Sequence, residues 1–105
     1  MTGDRWTVPL SIRTYRMRVE SIPDDYTFEQ DVFEALIGRS ALQERWAELT
    51  GEQCEEVHRI DDVLVGLHAR VAELLPAGGF HPLREWWWHL DQGPKVREET
   101  ERATT

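Results

Sequence analysis

Two side chains that could hold a metal ion lie one helical turn apart in the middle of the chain. Cys54 and His58 are four residues apart, a spacing that puts both on one face of a helix. Thiolate and imidazole are zinc ligands, and Asp61 could orient the imidazole. The same thiol and imidazole could instead serve as a nucleophile and its base. No CxxC or HExxH pattern accompanies them, so a small cysteine flanking a buried stripe is the favoured interpretation.

Glu55-x-x-His58 matches the repeated unit of di-iron carboxylate bundles. Those bundles need two such units and two further glutamates, whereas this sequence has one unit, so a dimer would have to supply the second. The possible completing residues are Glu29, Glu34, Glu44 and Glu48. A solvated acidic helix face explains the same residues, and we therefore expect no cofactor. The candidates for a metal site remain Cys54, Glu55, His58 and Asp61.

Capping-box patterns mark the helices that would position these residues. Ser or Thr is followed three residues later by Gln at three places: Thr27 and Gln30, Ser40 and Gln43, and Thr50 and Gln53. In such a box the hydroxyl and the glutamine side chain each satisfy a free backbone amide. The boxes predict helices over 28–38, 41–49 and 51–75, with Gly38 ending the first and Pro76 following the third.

The predicted third helix carries an apolar seam whose spacing alternates between three and four residues. Its members are Val57, Ile60, Leu64, Leu67, Val71 and Leu74. This heptad period is that of a coiled coil. The seam can face the chain's own core or a second copy of the chain, and the strictness of the repeat predicts a homodimer.

Residues 1–22 predict an extended N-terminal arm or strand. Val8, Leu10 and Ile12 lie at alternate positions, and the apolar positions change parity at a bend near Arg13. The arm is basic, whereas the segment from Glu20 to Asp62 is strongly acidic. We expect the two to attract each other within one molecule or one dimer.

Three consecutive tryptophans occupy positions 86–88. On a helix, Trp86 and Trp87 join Leu83 and Leu90 in an inward stripe, whereas Trp88 points to a second surface. On a strand, Trp87 would be the odd ring instead. A large aromatic side chain is a common interface anchor. The predicted partner-binding residues are therefore Trp88, Arg84, Arg16 and Arg18.

Composition bounds the class of protein. The 105 residues carry a net charge of −8, which opposes a phosphate-binding surface and makes a nucleic-acid partner unexpected. A single cysteine fits a reducing cytoplasm, the N-terminus lacks the profile of a signal peptide, and no stretch is long and apolar enough for a membrane span. We expect a mainly α protein, a small bundle of three to four helices with the N-terminal arm, forming one domain over 1–93 with a polar tail over 94–105.

The favoured function is a small non-enzymatic protein-interaction or accessory subunit that self-associates through the 57–74 seam. One alternative is a metal- or ligand-binding helical bundle, possibly an enzyme, that uses the edge around His58. A further alternative is an acidic regulator that mimics nucleic acid, since 20 acidic residues outnumber 12 basic ones.

Overall fold

In the computed structural model the chain is built from helices, and the prediction of a mainly α protein is confirmed. The structure describes residues 7–24, 26–75, 81–82 and 84–103, and it contains no strand within those ranges. The α-helices are α1 Val8–Glu20, α2 Glu29–Glu44, α3 Gly51–Gly66, α4 His68–Leu74 and α5 Val96–Ala103. Two 3₁₀ helices, Trp46–Glu48 and Trp86–Gln92, complete the described elements; we call the second the tryptophan helix. None of the described helices has both the length and the apolar character needed to cross a membrane.

Helix α1 replaces the predicted extended arm over its described residues. The Thr7 hydroxyl caps the helix by accepting a hydrogen bond from the Leu10 amide at 3.3 Å, and Pro9 lies in the first turn, where no amide partner is needed. The buried positions are Val8, Ile12, Tyr15 and Val19. They follow a helical period that shares members with the alternating pattern, so the prediction of a strand chose the wrong period.

Helix α2 passes through Gly38 without a break, so the predicted boundary there is wrong. An interior glycine costs a helix about 0.5–1 kcal/mol relative to alanine, which the packing of the rest of the helix can offset. Ser40 consequently lies inside α2 and caps no helix. The predicted box at Thr50 is confirmed, because the Gln53 amide donates to the Thr50 hydroxyl at 3.1 Å and the Thr50 amide donates to the Gln53 side chain at 2.9 Å.

The predicted long third helix is two helices, α3 and α4, separated by Leu67, whose φ of −99° and ψ of 15° depart from helical values. The seam residues Val57, Ile60, Leu64 and Val71 are buried, and Leu67 and Leu74 pack against the same core. Helix α1 contacts both α2 and α3, and the tryptophan helix contacts α4 and α5. The seam therefore faces the core of its own chain.

Part of the segment predicted as a polar tail forms α5 and packs on the tryptophan helix. Val96 is its buried anchor, and Arg97 donates to Asp62 of α3 at 2.5 Å. Pro76, Leu83, residues 1–6 of the predicted arm and residues 104–105 of the predicted tail lie outside the described residues.

Candidate functional site

The structure places His58 Nδ1 3.7 Å from Asp61 Oδ2, but it does not group the predicted metal ligands into a site. Asp61 is fully buried, whereas His58 and Glu55 are exposed and Cys54 is half-buried. The His58 ring packs on Trp46, and its Nδ1 accepts a hydrogen bond from Arg97 at 3.2 Å. Among the described residues, no three His, Cys, Asp or Glu side chains are grouped closely enough to hold a metal ion.

Asp61 instead binds a buried arginine that the sequence analysis missed. The Asp61 carboxylate accepts from Arg39 Nε at 2.9 Å and Arg39 Nη2 at 3.1 Å, and from the Tyr15 hydroxyl at 2.6 Å. Arg39 is only 2% exposed, so this pair is removed from water on both sides. A charged residue at a core-facing position of α2, between Leu36 and Leu42, was the signal that could have revealed it.

The Arg39 guanidinium also lies between two indole rings. Its central carbon is 4.4 Å from the Trp87 ring centre and 5.1 Å from that of Trp46, and it donates to Gln43 at 3.0 Å. Cation–π contacts of this kind strengthen when they are removed from water. The Arg39–Asp61 pair thus joins α1, α2, α3 and both 3₁₀ helices at one point.

All three consecutive tryptophans are buried, so the prediction of an outward Trp88 is wrong. Trp86, Trp87 and Trp88 are 3%, 2% and 5% exposed. Successive side chains of a 3₁₀ helix point about 120° apart. Neighbouring elements pack against the tryptophan helix on each side to which an indole points, so all three rings are covered.

Trp86 and Trp88 each have a covering group, as Trp87 has in Arg39. Arg97 of α5 lies over Trp86 at 5.2 Å. The His81 ring stacks on Trp88 with the ring centres 3.8 Å apart, and Phe33 packs against the same indole at 5.6 Å. Trp88 is therefore a core residue of the described chain.

Ser40 is the polar partner shared by two of these rings. Its hydroxyl accepts from the Nε1 atoms of Trp87 and Trp88, both at 2.9 Å, and donates to Glu85 at 2.8 Å. A buried indole N–H needs such an acceptor. The residue predicted to cap a helix thus satisfies the tryptophan helix instead.

A cleft of about 630 Å³ lies beside this cluster and is lined in part by His58, Trp46 and Trp86. The indole faces of Trp46, Trp86 and Trp87 already contact arginines of the chain itself. The indole faces beside this cleft are therefore occupied by contacts that hold the chain's own helices together.

The predicted partner-binding arginines of the N-terminal segment form ion pairs within the chain. Arg16 pairs with Glu56 of α3, and Arg18 pairs with Glu34 of α2. Arg84 is exposed. Basic α1 and the acidic helices thus attract each other inside one molecule.

A groove of about 580 Å³ with mainly apolar walls runs between α1 and α2. Ser11 and Thr14 line it from α1, and Ile37, Gly38 and Ala41 line it from α2. Arg18 and Glu34 lie at one end, and Glu44 and Arg45 lie at the other. The sequence did not predict the groove, because the residues of its first wall were expected to form an extended arm.

The α2 wall of the groove is the face of that helix opposite the core. At 100° per residue, its lining positions fall on about 120° of arc, and the buried positions Val32, Ala35, Leu36, Arg39 and Leu42 fall on the opposite side. Ile37 is 44% exposed there. A solvent-facing helical stripe is ordinarily polar, so this apolar stripe is a candidate interaction surface, which we call the α2 face.

Comparison of the chain with protein-family models, with curated proteins and with solved structures gives no match. Over the described residues the chain is helical, with a buried arginine–aspartate pair in its core and an apolar α2 face at its surface.

Alkaline pH should destabilise the protein through Tyr15. Burial, and then the negative charge of Asp61, raise the pKa of Tyr15 well above its ordinary value of 10.0. Above about pH 10 the unfolded state loses the tyrosine proton, whereas the folded state retains it. The contribution of Tyr15 to the free energy of unfolding is therefore fully present below about pH 10. It falls as the pH rises toward the raised pKa, by at most about 1.4 kcal/mol per pH unit. Urea unfolding from about pH 8 to about pH 11 measures the decrease. It should be shallower in Tyr15→Phe, and an equal decrease in that variant would contradict the assignment.

Proposed function

We propose that the chain is a small non-enzymatic protein-interaction or accessory subunit that binds a protein through the α2 face and the adjoining groove. The observation that carries this proposal is Ile37, Gly38 and Ala41 lying on the solvent side of α2 beside an apolar groove. Apolar area of this kind releases water when a partner covers it. A cytoplasmic setting is part of the same proposal, since Cys54 is a free thiol.

The α2 face replaces the 57–74 seam as the proposed contact. Val57, Leu64 and Val71 are at most 2% exposed, and a partner could reach them only by displacing the chain's own helices. The α2 face needs no such opening. Binding to it leaves the core intact, as is usual for pre-organised interfaces.

The arrangement of the ionisable side chains supports a non-enzymatic role. Asp61 accepts three hydrogen bonds from Tyr15 and Arg39, and Arg39 gives its remaining described bond to Gln43. Groups satisfied in this way stabilise a fold. They hold one another in place, and Tyr15, which also lines the α1–α2 groove, has its hydroxyl bound to Asp61.

Photo-crosslinking in the native host tests the proposal. A photoreactive amino acid at Ala41 should give a discrete crosslinked protein band, and the same amino acid at Val63 should not. Val63 is a suitable control because it is 49% exposed on α3, close to the 44% of Ile37. Introducing Ile37→Arg should reduce the Ala41 band at least tenfold, since a charge would be buried in the contact. Equal labelling at Ala41 and Val63 would contradict the proposal.

A further inference from the structure

We infer that the protein covering the α2 face is a second copy of this chain, docked with the two α2 helices antiparallel. The inference rests on the proposed function and identifies the partner. Glu34, Gly38, Ala41 and Arg45 are spaced by four, three and four residues, and all four line the groove. The pattern is symmetric about its centre, so a two-fold axis there places Glu34 opposite Arg45 of the second copy and Gly38 opposite its Ala41.

Gly38 is the residue whose presence the single chain does not explain. It lies within α2, and a Cβ atom added to it would meet nothing within 4 Å. Neither a tight turn nor a neighbouring element of the described chain requires a glycine there. Small residues on an outward helical face let a second helix approach closely, and Ala41 extends the small surface by one turn.

Charge determines the direction of the pairing. Each end of the groove carries both signs, with Arg18 and Glu34 at one end and Glu44 and Arg45 at the other. Within one chain Glu34 pairs with Arg18 and Arg45 pairs with Glu48. Antiparallel helices add Arg45 of the second copy to the Glu34 pair at both ends of the contact. Parallel helices would oppose Glu34 to Glu34 and Arg45 to Arg45, which is unfavourable.

Local charge balance also explains why two acidic molecules would meet at this face. The chain carries a net charge of −8, so two copies repel each other over most orientations. The charged groove residues, two arginines and two glutamates, sum to zero. The α2 face thus joins apolar area to a charge pattern that is complementary to itself, as a two-fold contact requires.

Disulfide trapping tests both the partner and the direction. In a Cys54→Ser background, Gly38→Cys and Ala41→Cys are prepared separately with tags of different mass, and Val63→Cys serves as the control. Oxidation of the mixture should yield chiefly the mixed 38–41 dimer, because a disulfide forms only between close Cα atoms. A preference for the 38–38 and 41–41 dimers, or yields no higher than those of Val63→Cys, would overturn the antiparallel pairing.

The oligomeric state separates this inference from the proposed function. Light scattering at tens of micromolar should show a dimer, and Ile37→Arg should make it monomeric while leaving its helical circular dichroism unchanged. A stable monomer together with a crosslink from Ala41 to a different protein overturns the second copy and leaves the proposed function standing. A monomer with no crosslink at Ala41 overturns both.

Gly38→Ala should change folding and association in opposite directions. Measured on dilute protein, the melting temperature should rise by about 2–8 °C, because alanine is the better helix former. The added methyl group should separate the two helices and weaken dimerisation about tenfold. A purely structural glycine would raise the melting temperature without changing the dimer, and that result would contradict the close approach.

Discussion

Asp61→Leu should lower the free energy of unfolding by about 3–5 kcal/mol, the usual result of breaking a buried ion pair by removing one partner. The substitution leaves the guanidinium of Arg39 in a site that is 2% exposed, without its two hydrogen bonds to Asp61. The Tyr15 hydroxyl loses its acceptor as well. Such a loss is a large part of the total stability of about 5–15 kcal/mol that a small domain has. Urea unfolding followed by circular dichroism measures it.

A double-mutant cycle separates the contribution of the Arg39–Asp61 pair from the effect of changing either residue alone. Arg39→Met combined with Asp61→Leu should be markedly more stable than Asp61→Leu alone, because no charge then remains buried and unpaired. If Asp61→Leu does not fold, Asp61→Asn provides the measurement, since the amide keeps one acceptor for Arg39. If Asp61→Leu and Asp61→Asn each lower the free energy of unfolding by less than about 1 kcal/mol, water reaches the pair and the buried network contributes little.

The sequence predicted local features of the fold better than tertiary ones. The capping box at Thr50 predicted the start of α3 correctly, because its two hydrogen bonds lie within four residues. Residues 8–19 were misassigned because Val8 and Ile12 fit both a strand period and a helical one. Only a pattern that also includes Tyr15 and Val19 distinguishes the helical period from the strand period.

The pairing of Arg39 with Asp61 could not be predicted from the sequence, because the two residues are 22 positions apart on different helices. Arg39 at a core-facing position of α2 indicates a buried charge, but nothing near it in the sequence identifies Asp61 as its partner. The groove depends in the same way on α1 lying beside α2. Its α2 wall was visible in the sequence as a small and apolar stripe through Gly38 and Ala41, but the assumed helix end at Gly38 concealed it.

The row of tryptophans gives the second large effect. Trp86→Ala, Trp87→Ala and Trp88→Ala should each lower the free energy of unfolding by about 3–5 kcal/mol, as expected for a buried aromatic side chain. Trp87→Ala should cost the most, because it is the least exposed of the three and its indole contacts Arg39 and donates to Ser40. Tyr26→Ala is the control, since Tyr26 is 82% exposed and an exposed substitution ordinarily changes stability by less than about 0.5 kcal/mol.

Trp88→Ala decides between the sequence pattern and the structure. Helical periodicity alone would leave this ring outside and make its loss mild, whereas the structure encloses it between His81 and Phe33 and ties its N–H to Ser40. Ser40→Ala adds a second measurement: it removes the acceptor of both indoles without creating a large cavity, and should cost about 1–3 kcal/mol. Thermal and urea unfolding of Trp88→Ala, Ser40→Ala and Tyr26→Ala in parallel give the answer. If Trp88→Ala and Ser40→Ala both match Tyr26→Ala, Trp88 lies at an open surface and belongs again among the partner-binding residues. If both variants lose stability as Trp87→Ala does, the three tryptophans form one core, and a single serine of α2 accepts the hydrogen bonds at its polar edge. Partner binding then belongs to the opposite face of α2.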